Sequence, residues 1–306
     1  MKFLISSLLM LSAAFGHVNS GQIIYGEDNR MDIEQVRSAQ IQKVAKSVAA
    51  RVSNRAFHIQ DKEFSLGMAP LLSDQWGAAV CQDEKFANQP TVSDCSGFLV
   101  GEDLLATAGH CVLDMMGEVE DQMTGSCAEN SWMFDYVADK DQVKTERISV
   151  DNLYSCSKVV YAVVDDVSDF ALIKLDRKVS GREPVKIRKE AKVKSGEGIF
   201  VIGYPSGLPL KYAGGAKVFE NDKDEYFSTN LDTFGGNSGS PIFNAQTYQV
   251  EGILVRGRTD YVDSELDGKY CRRVNICDES REDCLMNDAA IDGEHVNRIA
   301  PILNYL

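Results

Sequence analysis

Ser238 is the residue whose surroundings most directly suggest chemistry, because it stands among glycines in LDTFGGNSGSP, residues 231–241. A serine hydroxyl is a weak nucleophile at neutral pH and needs a neighbouring base to accept its proton. Glycine and serine are also common in turns, so taken alone this stretch would more often be a loop. The nucleophile hypothesis therefore depends on a base supplied elsewhere in the chain.

His110 is the candidate base, since it is the one histidine of four that follows a β-prone run and directly precedes a cysteine. It ends LLATAGHC, a β-prone run followed by small residues. A lone histidine is more often structural than catalytic, so this motif is only a hypothesis. Cys111 directly follows His110, and Cys95 lies sixteen residues before Cys111. A disulfide between these two cysteines would close a strand-turn-strand hairpin with His110 at its rim.

These segments resemble the chymotrypsin-like serine proteases, whose catalytic histidine lies in a T-A-x-H-C segment closed by such a disulfide. The stretch SDFALIKLD resembles that family's D-[IF]-A-L-hydrophobic-x-L strand and nominates Asp169 as the acid. GGNSGSP resembles the family's G-[DN]-S-G-[GS]-P nucleophile loop. The motifs follow the order His, Asp, Ser, as in chymotrypsin, and not the order Ser, Asp, His of the α/β-hydrolases.

The resemblance implies a role for each residue of a catalytic triad. His110 takes the Ser238 proton, and Asp169 accepts the other ring N–H and stabilises the imidazolium. The backbone N–H groups of Gly236 and Ser238 form the oxyanion hole, with Gly235 and Gly236 allowing the backbone that this requires. We therefore expect a serine endopeptidase that works through an acyl-enzyme, with no cofactor and no metal.

IIYGEDNR at residues 23–30, GYPSG at 203–207 and NSGSPIFN resemble the bacterial glutamyl endopeptidase branch of this superfamily. Animal trypsins are activated when a new N-terminal ammonium pairs with an aspartate just before the nucleophile. Asn237 occupies that position, so this switch is absent here. The resemblance instead implies a mature N-terminus near Ile23 that packs against a second barrel, and hence a zymogen.

The expected substrate-binding residues point to opposite substrates. Thr233 stands where glutamyl endopeptidases bind a substrate carboxylate, whereas Leu254 replaces the histidine that selects glutamate in those enzymes. Arg256 supplies a compensating charge beside Gly257, and Asp232 stands where trypsins hold the aspartate that selects arginine or lysine. Asp232 and Arg256 would also neutralise each other if they paired. The preference at the acyl-side residue stays open between basic and acidic.

The elements that must position these residues are mainly short β-prone runs broken by Gly, Asp and Asn, which is typical of an all-β sandwich or barrel pair. The resemblance implies two antiparallel six-stranded β-barrels with the site between them. Helical spacing in IQKVAKSVAARV, residues 41–52, predicts one amphipathic helix, and HVNRIAPILNYL predicts a closing C-terminal helix.

The predicted organisation starts with a secretory signal peptide over residues 1–20, which has a basic start and an apolar run too short to span a bilayer. Residues 21–68 form an N-terminal segment, either a propeptide or a mature extension. The protease domain covers residues 69–306, with a first barrel over about 69–178 and a second over about 179–306. We expect a secreted protein, extracellular or periplasmic.

A net charge of −14, with 46 acidic and 32 basic residues, repels phosphate backbones and anionic membranes. Nucleic acid and membrane partners are therefore not expected, and we expect a monomer that acts on polypeptides. The even count of eight cysteines favours disulfides in an exported chain. Close Cys or His pairs of the kind that bind zinc are absent from the sequence.

Two disulfide groupings are predicted besides the Cys95–Cys111 bridge. Cys127 with Cys156 is one plausible pair, and Cys81 is expected to join the late cluster at 271, 277 and 284. Connectivity within that cluster does not follow from sequence. Two alternative functions stay open, a non-catalytic secreted binding module that retains the protease fold and an esterase.

Overall fold

The computed structural model describes residues 24–60, 63–67, 69–70, 79–139, 142–143, 148–277 and 293–306. The predicted signal peptide, Ile23 and Cys284 lie outside the described residues. The described part of the chain is mainly β, which confirms the predicted class.

Short runs rich in β-branched, aromatic and other apolar residues, ended by Gly, Asp or Asn, form the strands. The described strands are β1 (Ile24–Tyr25), β2 (Met31–Asp32), β3 (Val48–Ser53), β4 (Phe57–Gln60), β5 (Glu63–Leu66), β6 (Ala69–Pro70), β7 (Pro90–Thr91), β8 (Ser93–Leu99), β9 (Leu104–Thr107), β10 (Gly117–Gln122), β11 (Asn130–Phe134), β12 (Ala138–Asp139), β13 (Gln142–Val143), β14 (Leu153–Val164), β15 (Asp169–Leu175), β16 (Gly198–Gly203), β17 (Lys211–Lys217), β18 (Tyr226–Thr229), β19 (Pro241–Asn244), β20 (Val250–Arg256), β21 (Tyr261–Leu266), β22 (Lys269–Val274), β23 (Ile276–Cys277) and β24 (Glu294–Arg298).

Helices are few and short among the described residues. The α-helices are α1 (Ala39–Ala45) and α2 (Gly125–Glu129), and the 3₁₀-helices are Ile33–Gln35, Gly109–Cys111, Val150–Asn152, Pro205–Gly207 and Ala300–Tyr305. None of these helices is both long enough and apolar enough to cross a membrane.

The first large sheet has the strand order β10-β14-β11-β3-β8-β9-β15, and β14 also pairs with β15. That extra pairing closes β14, β11, β3, β8, β9 and β15 into a six-stranded barrel. All of its strand pairs are antiparallel. Because closure leaves no unpaired edge in this ring, the residues at its rim are held firmly.

The second large sheet has the strand order β18-β24-β20-β19-β16-β17-β2, with antiparallel pairs throughout. An isolated antiparallel bridge joins Val218, which follows β17, to Thr229 at the end of β18. A continuous cluster of buried apolar residues draws on both large sheets, and within it the Tyr136 and Tyr204 rings stack with centroids 6.0 Å apart. The two sheets therefore share packed core at their junction.

The helix predicted over residues 41–52 is wrong in its second half. Helix α1 begins after Ser38, whose side chain accepts a hydrogen bond from the Ile41 amide, and it ends at Ala45. Residues 48–53 instead form β3, paired with β8 on one side and β11 on the other. A strand inside the first barrel thus precedes residue 69, the boundary predicted for the protease domain.

The C-terminal segment also differs from the predicted helix. Residues 294–298 form β24, which pairs with β18 and β20, and only Ala300–Tyr305 is helical, as a 3₁₀-helix. Sheet pairing overrides the apolar spacing of HVNRIAPILNYL, because β24 forms backbone hydrogen bonds with a strand on each side and buries Val296.

Candidate active site

His110 and Asp169 form a direct pair at the rim of the first barrel. His110 Nδ1 lies 2.8 Å from Asp169 Oδ2, and the His110 backbone N–H donates to Oδ1 at 3.0 Å. Asp169 is buried, whereas the His110 side chain is 37% exposed. A carboxylate at Nδ1 favours the tautomer with its proton on that atom, which leaves a lone pair on Nε2.

Local sequence explains how the two residues meet. Asp169 begins β15, which pairs with β9, and His110 lies in the 3₁₀-helix that follows β9. A Cβ on Gly109 would overlap the carbonyl oxygen of Val163, so this position needs glycine for the turn to approach β14. The Asp169 carboxylate obtains its donors from the ring and amide of His110.

Ser238 lies in the loop between β18 and β19, held against the first barrel. Its carbonyl accepts a hydrogen bond of 2.7 Å from the Ser96 amide in β8. The same carbonyl lies 3.7 Å from the Sγ atom of Cys111, the residue after His110. The nucleophile loop and the His110 turn are therefore neighbours at the junction of the two sheets.

Two peptide units around Ser238 have their carbonyl groups engaged in hydrogen bonds. Gly235 O accepts from the Ser206 amide at 2.5 Å, and Asn237 O accepts from the Ser240 amide at 2.8 Å. In a trans peptide the N–H points opposite to the C=O, so the amides of Gly236 and Ser238 point away from these donors.

Gly236 adopts a φ of +92°, and a Cβ there would lie 2.5 Å from Tyr204 O. Only glycine fits this left-handed backbone at such a close approach. Among the described residues, the amides of Gly236 and Ser238 donate no hydrogen bond, so both are available to an oxyanion.

A cavity of about 180 Å³ adjoins Ser238. Thr233, Leu254, Arg256 and Gly257, four of the five predicted substrate-binding residues, line it. The lining residues that were not predicted to bind substrate are Phe234, Gly235, Val255, Arg258, Asp260 and Glu294.

Asp232, the fifth predicted substrate-binding residue, does not line this cavity. Its buried carboxylate accepts hydrogen bonds from the amides of Tyr25 at 3.0 Å and Asn29 at 3.4 Å. The N-terminal segment therefore occupies the oxygens of Asp232, and the structure places this residue away from the wall of the cavity.

Arg256 does not pair with Asp232 either. Its guanidinium donates to the backbone carbonyls of Asp166 and Asp165, at 3.0 Å each. The Arg256 side chain therefore reaches across to the turn before Asp169, where two backbone carbonyl groups hold its guanidinium. A neutralising Asp232–Arg256 pair is not formed.

Glu294 reaches the cavity because β24 pairs with β20, the strand that carries Leu254. Burial raises the pKa of Glu294 well above its usual range. Burial also raises the pKa of Asp260 to about 6, with a hydrogen bond from the Gly235 amide opposing this shift. Glu294 could have been predicted from sequence only if residues 294–298 had been recognised as a strand that pairs beside Leu254.

Three disulfides are present among the described residues. Cys95 pairs with Cys111 and Cys127 with Cys156, the two pairings expected from sequence, and Cys81 pairs with Cys271. Cys95, His110 and Cys111 are close enough to hold a metal ion in principle. Since the two sulfurs are joined in a disulfide, His110 is the single potential ligand of this group.

The N-terminal segment packs beside the nucleophile loop. Ile24 is buried and pairs with Ile276 in a short parallel sheet. The Arg30 guanidinium lies 4.0 Å from the centroid of the Phe234 ring and donates to the Asp28 carboxylate at 2.9 and 2.6 Å. This segment thus supports the chain just before Ser238.

The known proteins that this chain resembles include an endopeptidase. Glutamyl endopeptidase of Bacillus licheniformis is 26% identical over 161 residues, which cover 50% of this chain and 46% of that protein. The chain thus spans about half the length of this curated relative.

Two solved structures resemble the chain, a Glu endopeptidase in complex with MPD and the VesB protease of Vibrio cholerae. The first has 16% identity and a TM-score of 0.48, covering 92% of this chain and 96% of its own. The second has 11% identity and a TM-score of 0.49, covering 90% of this chain and 65% of its own. Residues 95–253, more than half of the sequence and including His110, Asp169 and Ser238, match the family described as Trypsin-like peptidase domain. The chain belongs to this family of trypsin-like peptidase domains.

Proposed function

We propose that this protein is a secreted serine endopeptidase that hydrolyses polypeptides through Ser238, His110 and Asp169. The observation that carries the proposal is the pair of hydrogen bonds from His110 to both Asp169 oxygens, beside the loop that holds Ser238. Membership of a peptidase family and the similarity to a glutamyl endopeptidase support the reaction class.

The acylation step follows from these contacts. His110 Nε2 takes the proton of the Ser238 hydroxyl as Oγ attacks the substrate carbonyl carbon. Negative charge develops on the substrate oxygen, and the amides of Gly236 and Ser238 stabilise it. The imidazolium, stabilised by Asp169, then gives its proton to the departing amine as the peptide bond breaks.

Deacylation repeats the same steps with water. His110 takes a proton from water as the oxygen attacks the acyl carbon, and returns a proton to Ser238 as the ester bond breaks. The products are a carboxylic acid and the regenerated serine, so no oxidant, reductant or metal enters the balance. This chemistry serves peptides and simple esters alike, and peptides fit the family better.

The proposal includes a two-barrel architecture with the site between the barrels. The bridge between Val218 and Thr229 supports closure of the second sheet into a six-stranded ring. Secretion is supported by the disulfides, since oxidising compartments preserve them, and by the signal-like residues 1–20. A mature N-terminus near Ile23 is supported by the packing of Ile24, and we expect a monomer.

Covalent labelling with a fluorophosphonate probe tests the nucleophile. Ser238→Ala should abolish labelling, because no other group would be activated by His110. Ser157→Ala, which alters an exposed serine, is the matched control and should label like the wild type. Undiminished labelling of Ser238→Ala would refute the proposal.

Hydrolysis of casein at neutral pH tests the base and separates a protease from a binding module. His110→Ala should lower the rate by a factor on the order of 1,000 or more. His58→Ala, at an exposed histidine, should leave the rate unchanged. A wild-type protein that never hydrolyses casein or peptides would favour the binding module.

A further inference from the structure

The cavity beside Ser238 has the size of a site for one side chain. Its volume of about 180 Å³ is below the ~300–1,000 Å³ typical of pockets for drug-sized ligands. Because Ser238 lines it, the group that enters belongs to the residue whose carbonyl Ser238 attacks. The chemistry of the cavity wall therefore sets which residue is cleaved.

Glu294 brings a fully buried carboxylate to this wall. The Thr233 hydroxyl donates to its Oε2 atom. Within the described part of the chain, the buried Oε1 atom has no hydrogen-bond partner. A buried acceptor left without a hydrogen bond lowers the stability of the fold by about 1–3 kcal/mol, and by more when it is charged. A hydrogen bond donated by a ligand would remove this penalty at Oε1.

Three other charged side chains, those of Asp260, Arg256 and Arg258, line the cavity together with Glu294. Asp260 Oδ2 already accepts from the Gly235 amide at 2.8 Å. The guanidinium of Arg256 is held at the carbonyls of residues 165 and 166. Arg258 also lines the cavity, and against the larger opposing effect of burial its backbone hydrogen bond and its charge both lower the pKa of Glu294.

Tyr25 adds a second acceptor near Glu294. Its hydroxyl is buried without a hydrogen-bond partner among the described residues. Burial raises the pKa of Tyr25, and the charge of Glu294 raises it further, whereas the charge of Arg258 lowers it. Tyr25 does not line the cavity, so the acceptor that a positive head group with several donors would meet there is Glu294 Oε1.

We propose that Glu294 makes this protease selective for lysine or arginine at the acyl side of the cleaved bond, with the cationic head donating to Glu294 Oε1. The proposal rests on the proposed peptidase function and adds the substrate class. It assigns selectivity to β24 and not to Asp232, whose oxygens bind the N-terminal segment.

A peptide series that differs only in the acyl-side residue tests this selectivity. The series carries Arg, Lys, Gln, Glu or Leu, and kcat/KM is normalised to active sites titrated with a fluorophosphonate. The wild type should cleave the Arg and Lys peptides at least tenfold faster than the other three. Preferred cleavage after Glu or Leu would overturn the proposal.

Variants of Glu294 test the residue itself. Glu294→Gln should lower kcat/KM for the Arg and Lys peptides roughly 30-fold or more, as expected for removal of one partner of a buried charge pair. Glu294→Asp retains the charge and should keep a basic preference with a changed Arg-to-Lys ratio. Glu265→Gln, at an exposed strand residue, is the matched control and should match the wild type.

The outcomes separate the two proposals. An unchanged Arg-to-Gln ratio in Glu294→Gln would overturn the role of Glu294 while Ser238-dependent labelling upholds the peptidase. No labelling of the wild type would overturn both. The wild-type profile and Glu294→Asp keep the proposal falsifiable if Glu294→Gln does not accumulate as folded protein.

Discussion

The Oδ1 atom of Asn297 accepts a hydrogen bond of 2.7 Å from the backbone N–H of Asp169. Its Nδ2 atom donates to Val167 O at 2.8 Å and to Glu225 O at 3.3 Å. Asn297 belongs to β24 of the second sheet, whereas Asp169 begins β15 of the first. One buried amide therefore fixes the backbone that aims the Asp169 carboxylate at His110.

Asn297→Ala should lower kcat roughly tenfold with little change in KM. The substitution leaves the Asp169 amide without its partner, a loss of about 1–3 kcal/mol that loosens the His110–Asp169 pair. Steady-state kinetics with a peptide substrate measures the split between kcat and KM.

Asn230→Ala is the matched control for Asn297→Ala. Asn230 Oδ1 also accepts from a backbone amide, that of Lys217, at 2.7 Å, but away from Asp169. Similar melting temperatures with a lower kcat only in Asn297→Ala support positioning. An unchanged kcat in Asn297→Ala would rule it out.

Ser96 ties the first barrel to the oxyanion amides, a link not foreseen from sequence. Its amide donates to Ser238 O at 2.7 Å, and its hydroxyl donates to Gly236 O at 2.8 Å. The Tyr204 amide in turn donates to the Ser96 hydroxyl at 3.1 Å. The hydroxyl thus holds the peptide that follows Gly236.

Ser96→Ala should reduce kcat roughly tenfold and lower the free energy of unfolding by about 2 kcal/mol or more. It leaves Gly236 O and the Tyr204 amide unsatisfied in the buried interior. Urea unfolding and peptide kinetics check both effects. Ser93→Ala on the same strand, whose buried hydroxyl donates to Cys95 O at 2.8 Å, should destabilise the fold with little loss of kcat. Equal kcat losses in both variants would contradict a specific role for Ser96.

Asp232 should give folding a distinct pH dependence. Burial raises its pKa from 3.8 to about 6, and hydrogen bonds from the Tyr25 and Asn29 amides only partly oppose this. The folded protein therefore binds this proton more tightly than the unfolded chain does. The resulting stability is fully present below pH 3.8 and is lost as pH rises through about 6.

Asp232→Asn removes this titration and tests its sign. The stability of the wild type relative to the variant should fall by on the order of 3 kcal/mol between pH 3.5 and 7.5. Urea unfolding at several pH values provides the measurement. Asp114→Asn, at an exposed carboxylate, should track the wild type across the range. A gap between wild type and Asp232→Asn that is constant with pH would show that burial does not shift this group.

Helical and strand periods overlap in residues 48–52, and this explains where the predicted helix failed. Val48 and Val52 satisfy the spacing of four residues in a helix, yet Val48, Ala50 and Val52 also alternate as in a strand. All three are buried in β3 between β8 and β11. Neighbouring strands decided the outcome, because only the folded sheet supplies partners for this backbone.

The sequence alone determined the local motifs that nominate His110, Asp169 and Ser238, since each depends on residues adjacent in the chain. It also determined the β-rich class through short apolar runs separated by turn residues. Which acid faces the cavity was decided by tertiary structure. Asp232 is taken by amides far away in sequence, whereas Glu294 reaches the wall through pairing of β24 with β20. Distant segments compete for a buried carboxylate, and the sequence does not record which of them comes within hydrogen-bonding distance.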